Sequence, residues 1–186
     1  MPNTKIQDDE LLDRLTDVFR THGFEGASLS LISEATGLQR ASLYHRFPGG
    51  KEEMASAVLE RAGKWLETRV LAPLNGPGKP ADRVRKMADE LHAFFSGGRC
   101  SCLLDSLSFG LEENPIKNHV REGMSYWVDE LAKAAREAGV PSKKARQQAQ
   151  DVIGRIQGSL VMARVLKDCE PFERAIAEIP TALLKK

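Results

Sequence analysis

A chain of 186 residues with 41% hydrophobic residues is long enough for one or two compact units with a buried core, and its formal net charge of +1 gives bulk electrostatics no argument for a polyanionic partner. No run of about 18 uncharged apolar residues occurs, and the opening MPNTKIQDDELLDR is polar and acidic, which argues against a membrane span or an export signal and predicts a cytoplasmic protein. Three cysteines, two of them in Cys100-Ser101-Cys102, do not form a paired framework and suit a reducing compartment.

Strand signals are scarce, whereas apolar residues recur at spacings of three and four throughout, so the fold is expected to be all-α with about nine helices. Leu11, Leu12, Leu15, Val18 and Phe19 make the inner face of a first helix over roughly 7–22, ended near Gly23. Ser28 caps a short second helix carrying Leu29, Ile32 and Ala35 and closed by Gly37, and a third runs from Arg40 to Phe47 until Pro48 stops it. After Pro48-Gly49-Gly50 the spacing of Met54, Val58, Ala62, Trp65 and Leu66 predicts a helix over about 51–71, followed by a Gly/Pro-rich loop from Pro73 to Pro80. Five more helices are expected at about 81–96, 102–111, 114–138, 142–168 and 170–183. The predicted division is an N-terminal three-helix domain, 1–50, and a C-terminal helical bundle, 51–186.

A helix followed by two short helices meeting at a tight Gly-containing turn is the helix-turn-helix arrangement, whose second short helix enters the major groove of DNA. Packing Leu43 and Phe47 against Leu15, Val18 and Phe19 leaves Arg40, Ala41, Tyr44 and His45 on the outer face, side-chain types that meet base edges and phosphates. Residues 1–50 hold five Lys/Arg against seven Asp/Glu. The acids Asp8, Asp9, Glu10, Asp13 and Asp17 crowd the first helix, while Arg40, His45, Arg46 and Lys51 cluster within twelve residues.

The pattern Phe19-x3-Gly23-x4-Ser28-x3-Ile32, then Gly37-Leu38-Gln39-Arg40-Ala41-Ser42-Leu43-Tyr44-His45-Arg46-Phe47 and Lys51-Glu52-Glu53, resembles the N-terminal domain of tetracycline-repressor (TetR) family regulators over about residues 6–60. The nine-helix layout extends the likeness loosely to the whole chain. The resemblance implies that Ser28, Tyr44 and Lys51 touch phosphates, that Ser30, Arg40, Ala41 and His45 face bases, and that the last two helices, about 142–168 and 171–183, pair with a second subunit. Departures are Gln39 where Ser is frequent, Arg46 where many members have His, and an extra Gly in Pro48-Gly49-Gly50.

Beyond the fourth helix, Trp65, Met87, Leu91, Phe94, Phe109, Met124, Tyr126 and Trp127 are bulky groups that are either core or the lining of an effector cavity, with His92 and His119 as further polar candidates. Few charges fall on these faces, so a largely apolar or aromatic small-molecule effector is expected. The helix at 142–168 combines Val152, Ile153, Ile156, Leu160 and Val161 with Gly154, Gly158, Ser159 and Ala163, a stripe suited either to close approach of a partner helix or to packing within one subunit. A dimer is independently favoured, because two recognition helices about 34–36 Å apart read a palindrome in double-stranded DNA.

Cys100 and Cys102, beside Arg99 at a helix start, leave open a thiol or redox trigger, although Cys-x-Cys lacks the spacing of dithiol and zinc sites and no metal ligand set is expected. The rival readings are a helical enzyme or a scaffold that does not bind DNA. There is no phosphate loop, His-Glu-x-x-His or nucleophile elbow, and Glu112-Glu113 beside Asn114-Pro115 reads as a solvated helix end, so no catalytic residues and no cofactor are assigned. The mechanism expected of such a regulator is a population shift, repression relieved when effector binding changes the spacing of the recognition helices.

Overall fold

The computed structural model describes residues 6–109 and 115–186. Among them the chain is all-helical: α1 Asp8–Gly26, α2 Leu29–Thr36, α3 Arg40–Arg46, α4 Gly50–Trp65, α5 Pro80–Phe94, α6 Leu103–Ser106, α7 Pro115–Glu137, α8 Ser142–Leu166 and α9 Glu170–Leu183. Two departures from the expected spans are local. The fourth helix does not continue as an α-helix to 71 but passes into a π-turn at Leu66–Leu71 and a 3-10 turn at Ala72–Asn75. The sixth helix is short: 107–109 form turns instead, and the last two positions of its expected span, 110 and 111, lie outside the described residues, as do Glu112, Glu113 and Asn114.

Residues collect into two compact units. One gathers the described residues of 1–62 and 103–121, the other Gly63–Cys102 and Glu122–Lys186. The first unit therefore runs past the expected boundary at 50, because Met54, Ala55, Val58 and Leu59 on α4, Leu103 and Leu107 around α6, and Ile116 and Val120 on α7 share one core with Leu11, Leu15, Phe19, Ile32 and Leu43. Burying such side chains stabilises by about 1.5–3 kcal/mol each before the entropy of ordering them is counted.

Inside that unit the turns do what their residues allow. Gly23 breaks α1 with φ +66°, and a Cβ there would stand 2.9 Å from the Ser106 carbonyl oxygen, so backbone conformation and close approach both demand glycine. Ser106 Oγ in turn donates to the Arg20 carbonyl at 3.0 Å, fastening α6 to α1. Ser28 caps α2 by accepting from Leu31 N–H at 3.2 Å, and Gly37 ends α2 in the left-handed conformation.

In the second unit α9 packs on α8 and α5, and α5 also packs on the π- and 3-10 turns. Val84, Met87 and Leu91 of α5 meet a core completed by Ile153, Ile156 and Leu160 of α8 and Phe172, Ile176 and Ile179 of α9, all buried. Phe95 and Phe172 meet edge to face at 5.9 Å.

Candidate nucleic-acid interface

The core of the first unit decides what its surface presents. Leu43 is wholly buried and Phe47 half-buried against the same cluster, so the opposite side of α3 leaves Arg40, Ala41, Tyr44 and His45 exposed. Ser28 and Ser30, at the start of α2, are exposed as well. The two helices are tied there: Arg40 Nη2 donates to Ser30 Oγ at 2.9 Å. Gln39 precedes α3 without a side-chain cap bond, so the first turn of α3 leaves backbone N–H groups to other partners.

Tyr44 keeps 46% of its surface exposed. Its ring lies against Gly50, whose φ of +67° and crowding, with a built Cβ 3.2 Å from Tyr44 Cε1, account for a glycine at the start of α4. Glu53 reaches back to accept from the Gly49 N–H at 2.6 Å and so caps α4. Lys51 is half-buried: Nζ donates to the Phe24 carbonyl at 2.8 Å and sits 4.4 Å above the Phe24 ring. Phe24, Tyr44, Pro48, Gly49, Gly50, Lys51 and Glu52 line an open pocket of about 480 Å³. An ammonium has three donors, so two remain for an anion beside the Tyr44 hydroxyl.

The positive cluster read from sequence is divided in use. Arg46 is spent inside the unit, donating from Nη1 to Asp8 at 3.0 Å and from Nη2 to the Ile6 carbonyl at 3.0 Å, which straps the end of α3 to the start of α1. Arg14 bonds Glu10 and the Ala35 carbonyl, and Arg61 bonds Asp13 and the Asp9 carbonyl, so the acidic face of α1 is largely paired. These strapping roles join residues as many as 52 positions apart and have no signature in local spacing.

The residues singled out for an effector are not all brought together. Met87, Leu91 and Trp127 are fully buried in the second unit, Trp65 and Phe94 stack at 4.7 Å nearer its surface, Met124 is half-buried, and Tyr126 is 40% exposed. Phe109, 68% exposed, belongs to the first unit, as does His119. Burial first, and then the neighbouring carboxylates Glu67 and Glu130, push the Tyr126 phenol above its ordinary value. Cys100 and Cys169 are half-buried, Cys102 is buried, and all three are free thiols, Cys100 lying 3.5 Å from Ser96 Oγ. No group of three His, Cys, Asp or Glu able to hold a metal occurs among the described residues, and no helix there is long and apolar enough to cross a membrane.

Residues 11–58 match the N-terminal domain described as bacterial regulatory proteins of the tetR family, and residues 80–178 match the C-terminal domain described as transcriptional regulator LmrA/YxaF-like. The chain belongs to the TetR family of transcriptional regulators. Among relatives of this family member, the HTH-type transcriptional regulator LmrA of Bacillus subtilis is 23% identical over 182 residues, covering 94% of this chain and 95% of the relative. A TetR transcriptional regulator from Legionella pneumophila superposes with a TM-score of 0.82 at 18% identity over 96% of this chain and 98% of the other. A cysteine mutant of the TetR-family regulator CifR, solved with 26 bp operator DNA, gives 0.76 at 22% identity over 100% and 99%. The family is one of DNA-binding regulators, not enzymes, and this TetR-family chain carries its helix-turn-helix in α2 and α3.

Proposed function

We propose that this TetR-family regulator is a cytoplasmic, one-component repressor that holds a palindromic operator as a homodimer and lets go when a small, largely apolar or aromatic effector binds among the helices of 51–186. The observation that carries the reading is the row of exposed side chains on α2 and α3, backed by a fully buried core and bordered by the Lys51 pocket. In this reading Ser28, Tyr44 and Lys51 take phosphates and position α2 and α3, while Ser30, Arg40, Ala41 and His45 face bases in the major groove.

Support for the dimer comes from α8. Val161, Met162, Val165 and Leu166 are exposed, and a Cβ added at Gly154 or Gly158 would meet nothing within 4 Å. A helix with an inner face in the core and a second, outer apolar stripe fits a partner helix, with α9 alongside it. Effector binding would shift the population toward dimers whose recognition helices no longer match the groove repeat, and operator affinity would fall by the ligand's preference for that state.

A salt-dependent gel-shift titration against the DNA flanking the gene, with a random fragment as competitor, tests the proposal. Competitor-resistant binding by a dimer is expected. Equal affinity for the two fragments at every salt concentration would overturn it.

A further inference from the structure

The second helix of the helix-turn-helix is seated on very little. α3 has seven residues, too few to persist alone in water, where about 12–15 are needed, so its place is set by what touches it. Leu43 is its one buried side chain, and Phe47, the residue that closes it, is half-buried. Positions four apart lie one above the other on a helix, so these two anchors form a single line, and a helix resting on one line is free to roll about it. With side-chain tips about 5–6 Å from the axis, a roll of about 10° moves them by about 1 Å. Recognition contacts tolerate about 0.5 Å.

Something beside that line must stop the roll, and one side chain is placed to do so. Arg46 lies one position before Phe47, off the line, with its guanidinium on the start of α1. Nη2 donates to the Ile6 carbonyl at 3.0 Å and Nη1 to the Asp8 carboxylate at 3.0 Å. The two acceptors differ in firmness. Ile6 is 8% exposed and part of the core of the first unit, so its carbonyl is a fixed point, whereas Asp8 keeps 93% of its side chain in solvent and adds mainly charge. A planar fork held at two points fixes direction as well as distance, which a single ammonium does not. The other arginine of α3, Arg40, is exposed and bonds the equally exposed Ser30, a contact that orients Arg40 rather than the helix.

We infer that Arg46 is a positioning residue for the reading of DNA: it sets the roll of α3 and so decides base preference, while its own charge, already matched by Asp8, takes no phosphate. The inference rests on the reading of Ala41, Tyr44 and His45 as the DNA-facing row of α3 and names what aims that row. It separates two properties that a surface arginine on DNA would join. Preference among sequences depends on Arg46, and the charge-driven part of the affinity does not.

The full-length protein and two variants are each selected against a pool of random-sequence duplexes. The enriched sequences, the affinity for the best of them relative to an unselected duplex, and the slope of log affinity against log salt are then measured. Arg46→Lys keeps the charge and gives up the fork, and the double variant Asp8→Asn with Arg46→Met keeps the net charge and gives up both contacts. The unaltered protein is expected to enrich one palindrome. Both variants are expected to enrich a set degenerate at the pairs under α3, with the ratio of best to unselected affinity down about 10-fold, the discrimination of one base pair, at an unchanged slope. A phosphate-binding arginine would behave otherwise: Arg46→Lys would keep the preference, and the double variant would lower the slope by about 1. A merely structural arginine would weaken every duplex alike and leave the ratio unmoved. Any of these results overturns the inference, and Arg46→Lys decides alone if the double variant does not fold. An unaltered protein that enriches nothing overturns the reading of α3 as a sequence reader and this inference with it, whereas enrichment that Arg46→Lys reproduces overturns the inference alone.

Discussion

The guanidinium of Arg40, first residue of α3, donates to the hydroxyl of Ser30, second residue of α2, at 2.9 Å. Both side chains are exposed, so the bond adds little to folding, but it holds a long, rotamer-rich arginine in one orientation before any partner arrives. Arginine with its fork pre-aimed is suited to bidentate contact with guanine.

Arg40→Ala is therefore expected to cost roughly 1–3 kcal/mol of discrimination at the base pair it reads, and Ser30→Ala a smaller part of that discrimination at the same pair. Competition binding against an operator set altered one pair at a time measures it. A uniform loss on every operator would remove Arg40 from the readers.

Lys51 and Tyr44 border the same pocket but differ in charge. Lys51→Ala should weaken binding to operator and random DNA alike and lower the slope of log affinity against log salt by about 1, while Tyr44→Phe should weaken both without altering the slope. If the slope is unmoved by Lys51→Ala, its ammonium serves only the Phe24 carbonyl.

On α8, Gly158 has open space where a side chain would project. Replacing a mid-helix glycine removes a helix cost of about 0.5–1 kcal/mol, so Gly158→Leu should leave the isolated subunit folded while blocking close approach of a partner helix. Sedimentation should show monomer and gel shift a loss of operator binding. A Gly158→Leu protein that remains dimeric would refute α8 as the pairing surface.

Tyr126 supplies a test in alkaline solution. Its phenol is held above the ordinary value by burial first and by Glu67 and Glu130 next. The folded chain thus keeps this proton more tightly than the unfolded one, so the contribution is complete below the unfolded value and is lost as pH rises through the folded one. With Tyr44→Phe leaving Tyr126 as the sole tyrosine of the two, ultraviolet titration should place its ionisation above that of a free phenol, and Tyr126→Phe should flatten the alkaline fall in stability. Ionisation at or below the free-phenol range would contradict the burial of the phenol beside Glu67 and Glu130.

How far the sequence could be read followed the range of each cause. Gly23, Ser28, Gly37 and Pro48 act on their own turns, so the break at Gly23 and the bounds of α2 and α3 were legible, as was the outer face of α3 once Leu43 was set inward, whereas α1 resumes after the break and runs on to Gly26. The family followed from those same residues. The Arg46 strap to Asp8 and Ile6 and the Lys51 bond to Phe24 depend on chain crossings 27 to 40 residues long, which no local pattern encodes. The π-turn was hidden because Leu66, Val70 and Leu71 satisfy a helical apolar spacing equally well in either winding. Inward spacing marked Met87, Leu91 and Trp127 but gave no means of telling packed core from ligand wall, nor of seeing that Phe109 belongs with the other unit.

The division of the chain also bears on its synthesis. The core around Leu15, Phe19 and Ile32 is shared with Leu103, Leu107, Ile116 and Val120, so the unit that begins first is finished only after residues beyond 100 have left the ribosome. At about 5–20 residues per second the early helices wait several seconds with part of their apolar surface uncovered. A nascent chain stalled at residue 90 should thus be open to chaperones and proteases in its helix-turn-helix, and a shortened gene ending there would make a poor stand-alone DNA-binding fragment.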